Sequence, residues 1–157
     1  MKINGENPKT GEIYQAEADD IDYGFIESMS TFGMSDDEIK RFIDNLDISA
    51  DVKSLLYSFS RATIKVGQFI VKIGRKIIDF VCLLHKEYPN VIFGMIFGAI
   101  VGFLISTIPV LGAVLGPIAG PIFIVFGMSV GLAEDIKDKA LARRITVITA
   151  EFSALNV

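Results

Sequence analysis

The chain has 157 residues, 51% of them hydrophobic, and its 19 acids and 15 bases give a net charge of −4. That length fits one domain, or a small domain with an appendage. A single cysteine, Cys82, and a single histidine, His85, exclude an internal disulfide and a zinc ligand set.

Residues 1–17, MKINGENPKTGEIYQAE, are polar and turn-rich and predict a loop or small hairpin, with turn signals at Asn4-Gly5 and Pro8-Lys9-Thr10-Gly11. They hold no apolar core of a cleavable signal, so the expectation is a membrane protein made in the cytoplasm and not exported. A first helical pattern runs from about Asp19 to Thr31, with Ile21, Phe25, Ile26 and Met29 on one side and Gly33 closing it. Ser35-Asp36-Asp37-Glu38 then forms a capping box, in which Ser35 and Glu38 each satisfy an orphaned backbone N–H. Met34 and Ile39 stand at the positions of a hydrophobic staple, and a helix over 36–46 buries Ile39, Phe42, Ile43 and Leu46.

Ser49 or Asp51 caps the next predicted helix, which continues to His85. Val52, Leu55, Phe59, Ala62, Val66, Phe69, Ile73, Ile77, Phe80 and Leu84 recur every three or four residues along it. Arg61, Lys65, Lys72, Arg75 and Lys76 fall on the opposite side, a basic stripe suited to anionic lipid headgroups or to the acidic N-terminal block. Gly67 and Gly74 interrupt the pattern. Glu87-Tyr88-Pro89-Asn90 reads as a break at a membrane surface.

From Tyr88 to Ala133 there is no charged residue and no histidine. A membrane span needs about 20 apolar residues, so this run predicts two spans and a tight connection. Within it, Gly94, Gly98 and Gly102, then Gly112, Gly116 and Gly120, then Gly127 and Gly131 follow a period of four. Glycine costs about 1 kcal/mol and proline about 3 in a water-exposed helix interior. Glycine rows instead give a bare helix face against which another helix can lie closely in lipid, so Gly94 to Gly131 are read as helix-packing and oligomerisation positions. Pro109 is the expected hairpin turn, and Pro117 and Pro121 are expected to kink the second span. A final amphipathic helix covers about 134–153.

Charge is sorted along the chain. Residues 1–60 carry thirteen acids and five bases, whereas residues 61–87 carry six bases and two acids. Bases flank the uncharged run on both sides, Lys72, Arg75, Lys76 and Lys86 before it and Lys137, Lys139, Arg143 and Arg144 after it. Positive charge is retained on the cytoplasmic side. A multi-pass inner-membrane protein with both termini cytoplasmic is therefore expected.

Catalytic signatures are missing. Cys82 and His85 lie three apart on a helix without a third partner, the acids of EADDID lack the spacing of a calcium loop, and no P-loop follows the glycines. The expectation is a non-enzymatic chain with no catalytic residue, metal or cofactor and no nucleic-acid partner.

The uncharged Gly-, Ala- and Ile-rich run, with short amphipathic helices around it, resembles glycine-zipper membrane hairpins and the hydrophobic hairpin of colicin-type pore-forming toxins. The resemblance covers about 88–133 and implies a protein that acts on the membrane from inside the producing cell.

The sequence thus predicts an all-α fold: an acidic helical module over 1–51, a basic amphipathic helix over 52–87, a transmembrane hairpin over 88–133 and a cytoplasmic helix over 134–157. The leading functional expectation is a hairpin that forms homo-oligomers and permeabilises the bilayer, as a toxin, antiviral defence effector or holin-like protein would. Two rivals stand beside it. One is a membrane-anchored adaptor that docks a cytoplasmic protein partner through residues 18–85; the other hides the hairpin among its amphipathic helices until a trigger arrives.

Overall fold

The structure is a computed structural model that describes residues 1–126 and 136–157. Its N-terminus is a small hairpin that turns at Pro8-Gly11 as expected, whereas Asn4-Gly5, the other turn signal, lies within the first strand. Strand β1 (Lys2–Glu6) pairs antiparallel with β2 (Ile13–Glu17). The Asn7 side chain accepts from the Lys9 and Thr10 amides in the connection, and Gly11 adopts φ +74°.

Three short helices follow, each with the cap its sequence supplies. Asp22 accepts from the Phe25 amide at the start of α1 (Tyr23–Met29). Ser35 and Glu38 form the expected capping box on α2 (Asp36–Asp44), with the staple residues Met34 and Ile39 both buried. Ser49 caps α3 (Ala50–Ser60).

The single helix expected over 52–85 does not form. The chain leaves α3 at Ser60, makes strands β3 (Ile64–Val66) and β4 (Phe69–Val71), and only then enters α4 (Ile73–Glu87). Ile64, Val66 and Val71 point inward while Lys65 and Ile70 point outward, an alternation with period two that fits a half-buried strand. Gly67, at φ +60°, makes the two-residue turn between β3 and β4 that a side chain would strain. Its N–H donates to the Lys2 carbonyl at 2.7 Å, attaching this hairpin to β1. The all-α expectation is overturned: helices combine with a four-stranded antiparallel sheet of order β2-β1-β3-β4.

Helices α5 (Phe93–Thr107) and α6 (Pro109–Phe126) follow, then α7 (Lys139–Ala150) and a terminal turn of 3-10 helix at Ser153–Leu155. Sheet and helices share one core. Ala16, Ile3, Val66 and Phe69 form a row across the inner face of the sheet, and α6 lies on that face at Gly5. A Cβ on Gly5 would come within 2.5 Å of the Val114 side chain, so glycine is what lets the helix settle there. Gly74 allows a still closer crossing of α4 over the end of α3, since a Cβ would stand 1.9 Å from the Phe59 carbonyl.

A buried polar tie holds the loop between α1 and α2 against α4. The Asp79 carboxylate is 1% exposed and accepts from the Gly33 amide at 2.9 Å, the Met34 amide at 2.8 Å and Arg75 at 3.4 Å. Arg75 also donates to the Met34 carbonyl and to Asp36, and its guanidinium stacks 4.3 Å above the Phe32 ring. Lys76 donates to the Thr31 carbonyl at 2.5 Å. Removing one partner of such a set strands the others without water. Asp79→Ala is therefore expected to lower unfolding free energy by about 3–5 kcal/mol in urea titration. Asp36→Ala, whose side chain is 90% exposed, is expected to stay within about 1 kcal/mol of the parent.

Candidate functional site

The uncharged run forms two antiparallel helices whose surroundings differ sharply. Helix α5 is enclosed over most of its length, with Phe103, Ser106 and Thr107 at the surface. Phe93, Ile96, Phe97, Ile100, Val101 and Leu104 are all buried, and α4, α6 and α7 lie against it. Phe97 is fully buried at the centre of an aromatic cluster, with ring centroids 5.3 Å from Phe59 and 5.8 Å from Phe123. Gly94, Gly98 and Gly102 are likewise buried within the fold.

Helix α6 has two faces. One, carrying Val110, Leu111, Val114, Leu115, Ala119, Ile122 and Phe123, is buried against α3, α5 and the sheet. The other carries Pro109, Ala113, Gly116, Pro117, Gly120, Pro121 and Ile124, apolar residues at helical spacing that reach the surface. Ile124 is 80% exposed and Val125 56%. A Cβ on Gly112 would meet the Ile105 carbonyl at 2.7 Å, so this glycine serves the turn between the helices. At Gly116 and Gly120 an added Cβ meets nothing within 4 Å beyond its chain neighbours and its own helix backbone.

Pro109 begins α6, and Ile108 before it is extended, which is the turn the sequence predicts. Pro117 and Pro121 lie inside α6, and the helix continues through both. Each follows a glycine. A Cβ on the residue before proline crowds the pyrrolidine ring in helical geometry, and glycine relieves that clash. Each proline also lacks the N–H that would reach the carbonyl four residues earlier, leaving those of Ala113 and Pro117 without helical partners. Gly127 and Gly131 lie outside the described residues.

Among the described residues, α6 is the one helix long and apolar enough to cross a membrane, with 18 residues and mean hydropathy 2.0. It spans roughly 27 Å at 1.5 Å per residue. Helix α5 has 15 residues and falls short. The two-span hairpin is thus corrected: one helix has the length, and its partner is enclosed by protein.

The basic stripe is also redistributed. Arg75 and Lys76, each 7% exposed, are spent on the internal tie described above and are not available to headgroups. Burial pushes the Lys76 ammonium below the usual lysine range, while Asp79 and Glu151 act in the opposite direction. The hydrogen bond and charge of Arg75 hold Asp36 below the usual carboxylate range. Lys65 stands on the outer face of the sheet, opposite Asn4 and Ile70. Arg61, at the end of α3, and Lys72, at the start of α4, line one cleft together with Lys40, which the stripe omits because it belongs to another helix.

Cys82 is fully buried, and burial with the nearby Asp79 charge pushes its thiol up to about 12. His85 sits edge-on to Phe42 and Phe93, each with centroids 5.7 Å away. Comparison of the chain with protein-family models, curated proteins and solved structures gives no match.

The glycines separate by environment, and substitution reads this out. Gly74→Ala is expected to lose at least about 3 kcal/mol by overpacking against backbone. Gly116→Ala and Gly120→Ala are expected to remain within about 1 kcal/mol of the parent, as helix propensity gained offsets the pre-proline clash. Thermal unfolding followed by circular dichroism checks all three.

Proposed function

We propose that this is a non-enzymatic, membrane-active protein that carries its apolar helix pair inside a mixed α/β fold, delivers α6 to the inner membrane from the cytoplasmic face, and permeabilises it as an assembly of several copies. The observation that carries this reading is the outward face of α6, uncharged from end to end and unfilled at Gly116 and Gly120. An apolar strip of this kind gains from contact with acyl chains or with a second helix, and glycine positions permit backbone approach in lipid.

The prolines add a constraint on what surrounds α6 in the bilayer. The partnerless carbonyls of Ala113 and Pro117 cannot face hydrocarbon, because an unsatisfied backbone group there costs several kcal/mol. They must face protein or water. An assembly in which those carbonyls line a wet path, while Ile122 and Phe123 face lipid or a neighbour, satisfies both demands. A lone α6 in lipid leaves those carbonyls unsatisfied.

Leakage of a trapped dye from vesicles of phosphatidylethanolamine and phosphatidylglycerol tests the reading. Release is expected to rise more steeply than linearly with protein concentration. The double variant Gly116→Leu, Gly120→Leu should keep the fold, since both positions face open space and the helix propensity gained offsets the pre-proline clash, yet release dye about tenfold more slowly, equivalent to about 1.4 kcal/mol in assembly. Intact vesicles at high protein, or a double variant as active as the parent, would rule the reading out.

A further inference from the structure

Between α2, α3 and the start of α4 lies a cleft of about 650 Å³, within the range of small-molecule sites. Lys40, Arg61, Lys72 and Arg75 line it together with a single acid, Asp36. Four cations and one acid leave an excess of three positive charges in a chain whose net charge is −4. Asp36 is already paired with Arg75 at 2.8 Å, and Arg75 is further held by Asp79 and the Met34 carbonyl. The three remaining cations are otherwise unengaged among the described residues, apart from a 3.5 Å contact of Arg61 with the Ser58 hydroxyl. Like charges gathered on a concave surface repel one another, a cost that a bound anion removes.

Two further features match an anion with an organic part. Helix α4, 15 residues long, begins at the cleft with Lys72 as its N-cap residue, and no side chain caps it and no acid occupies its first turn. Its positive end adds to the field of the cleft, although the Gly74 amide is taken by the Ala62 carbonyl at 3.1 Å. Ile39 and Tyr57 supply an apolar wall beside the cations. The Tyr57 hydroxyl is committed elsewhere, donating to Asp44 at 2.5 Å, and burial together with that hydrogen bond pushes its pKa up to about 12, which leaves the ring as the contact surface.

We propose that this cleft is a binding site for a phosphate group on a small organic carrier, held by Lys40, Arg61 and Lys72 at the head of α4. Arg75 is the structural cation of the set: it fixes the wall and contributes field without leaving its own partners. The phosphate has two sources, a free phosphorylated metabolite or a lipid headgroup, and the chemistry of recognition is common to both. The inference does not rest on the fate of α6, and the cleft binds its anion whether or not the protein permeabilises vesicles.

Calorimetric titration of the full-length chain with inorganic pyrophosphate at low ionic strength is the direct test. Arg61→Gln and Lys72→Gln replace exposed side chains that make no helix-capping hydrogen bond and no ion pair among the described residues, and each is expected to weaken binding about tenfold, the loss of one charge-assisted contact. Lys65→Gln, equally exposed but on the sheet, is expected to bind as the parent does. A second arm adds phosphatidylglycerol vesicles. Displacement of pyrophosphate by vesicles, lost in the Arg61 and Lys72 variants, assigns the phosphate to a lipid; vesicle binding indifferent to those variants assigns it to a free ligand. Either result upholds the site. Absence of pyrophosphate binding up to about 10 mM, or an equal loss in Lys65→Gln, overturns it.

Discussion

Helix α5 carries no charge and buries ten of its 15 residues, and that burial sets the requirement for the whole molecule. At roughly 25 cal/mol per Å² of apolar surface removed from water, enclosing Phe93, Ile96, Phe97 and Ile100 is a large return on folding. The other elements are arranged to provide it. Helix α4 brings Ile77, Val81 and Leu84, α3 brings Phe59, and α7 closes the remaining side with Leu141 and Ile145. The sheet covers α6 in turn. Arg144 pairs with Glu87, tying α7 to the end of α4 at the edge of this enclosure.

Enclosure brings polar backbone under cover, and that backbone has to be satisfied. Asp79 answers this for the 31–34 loop, accepting two amides there while Arg75 balances its charge. Burial of one carboxylate thus fixes where α1 ends, where α2 begins and how both lean on α4. The same arrangement consumes Arg75 and Lys76, and so decides which basic residues remain at the surface. Arg61, Lys72 and Lys40 remain, and they share one cleft.

Much of the fold was legible because several signals are local. The capping box at Ser35 and Glu38, the Ser49 cap and the turn at Pro109 depend on neighbours within a few residues, and all three stand in the structure. The residues from 61 to 72 were misread because their apolar spacing satisfies two periods at once. Phe59, Ala62, Val66, Phe69 and Ile73 mark a helical stripe, while Ile64, Val66, Phe69 and Val71 mark two short strands. A three-residue strand carries too few alternations to outweigh that stripe. Gly67 was the deciding signal, since its positive φ makes a turn where a helix would have tolerated it only as a flaw. Once the helix breaks there, a stripe drawn along it dissolves: Lys65 goes to the sheet, Lys76 to the interior, and Arg61 and Lys72 meet through tertiary contact between α3 and α4. The glycine rows were legible as close-contact positions, but spacing alone could not divide Gly94, Gly98 and Gly102, enclosed by the protein, from Gly116 and Gly120, which face outward.

Amide hydrogen exchange, on protein purified without detergent, addresses the enclosure of α5 most directly. The account expects peptides from Phe93–Thr107 to exchange as slowly as those of α4, at the rate set by global unfolding. Fast exchange across α5 while α4 and the sheet stay protected, or a chain that disperses only in detergent, would contradict it.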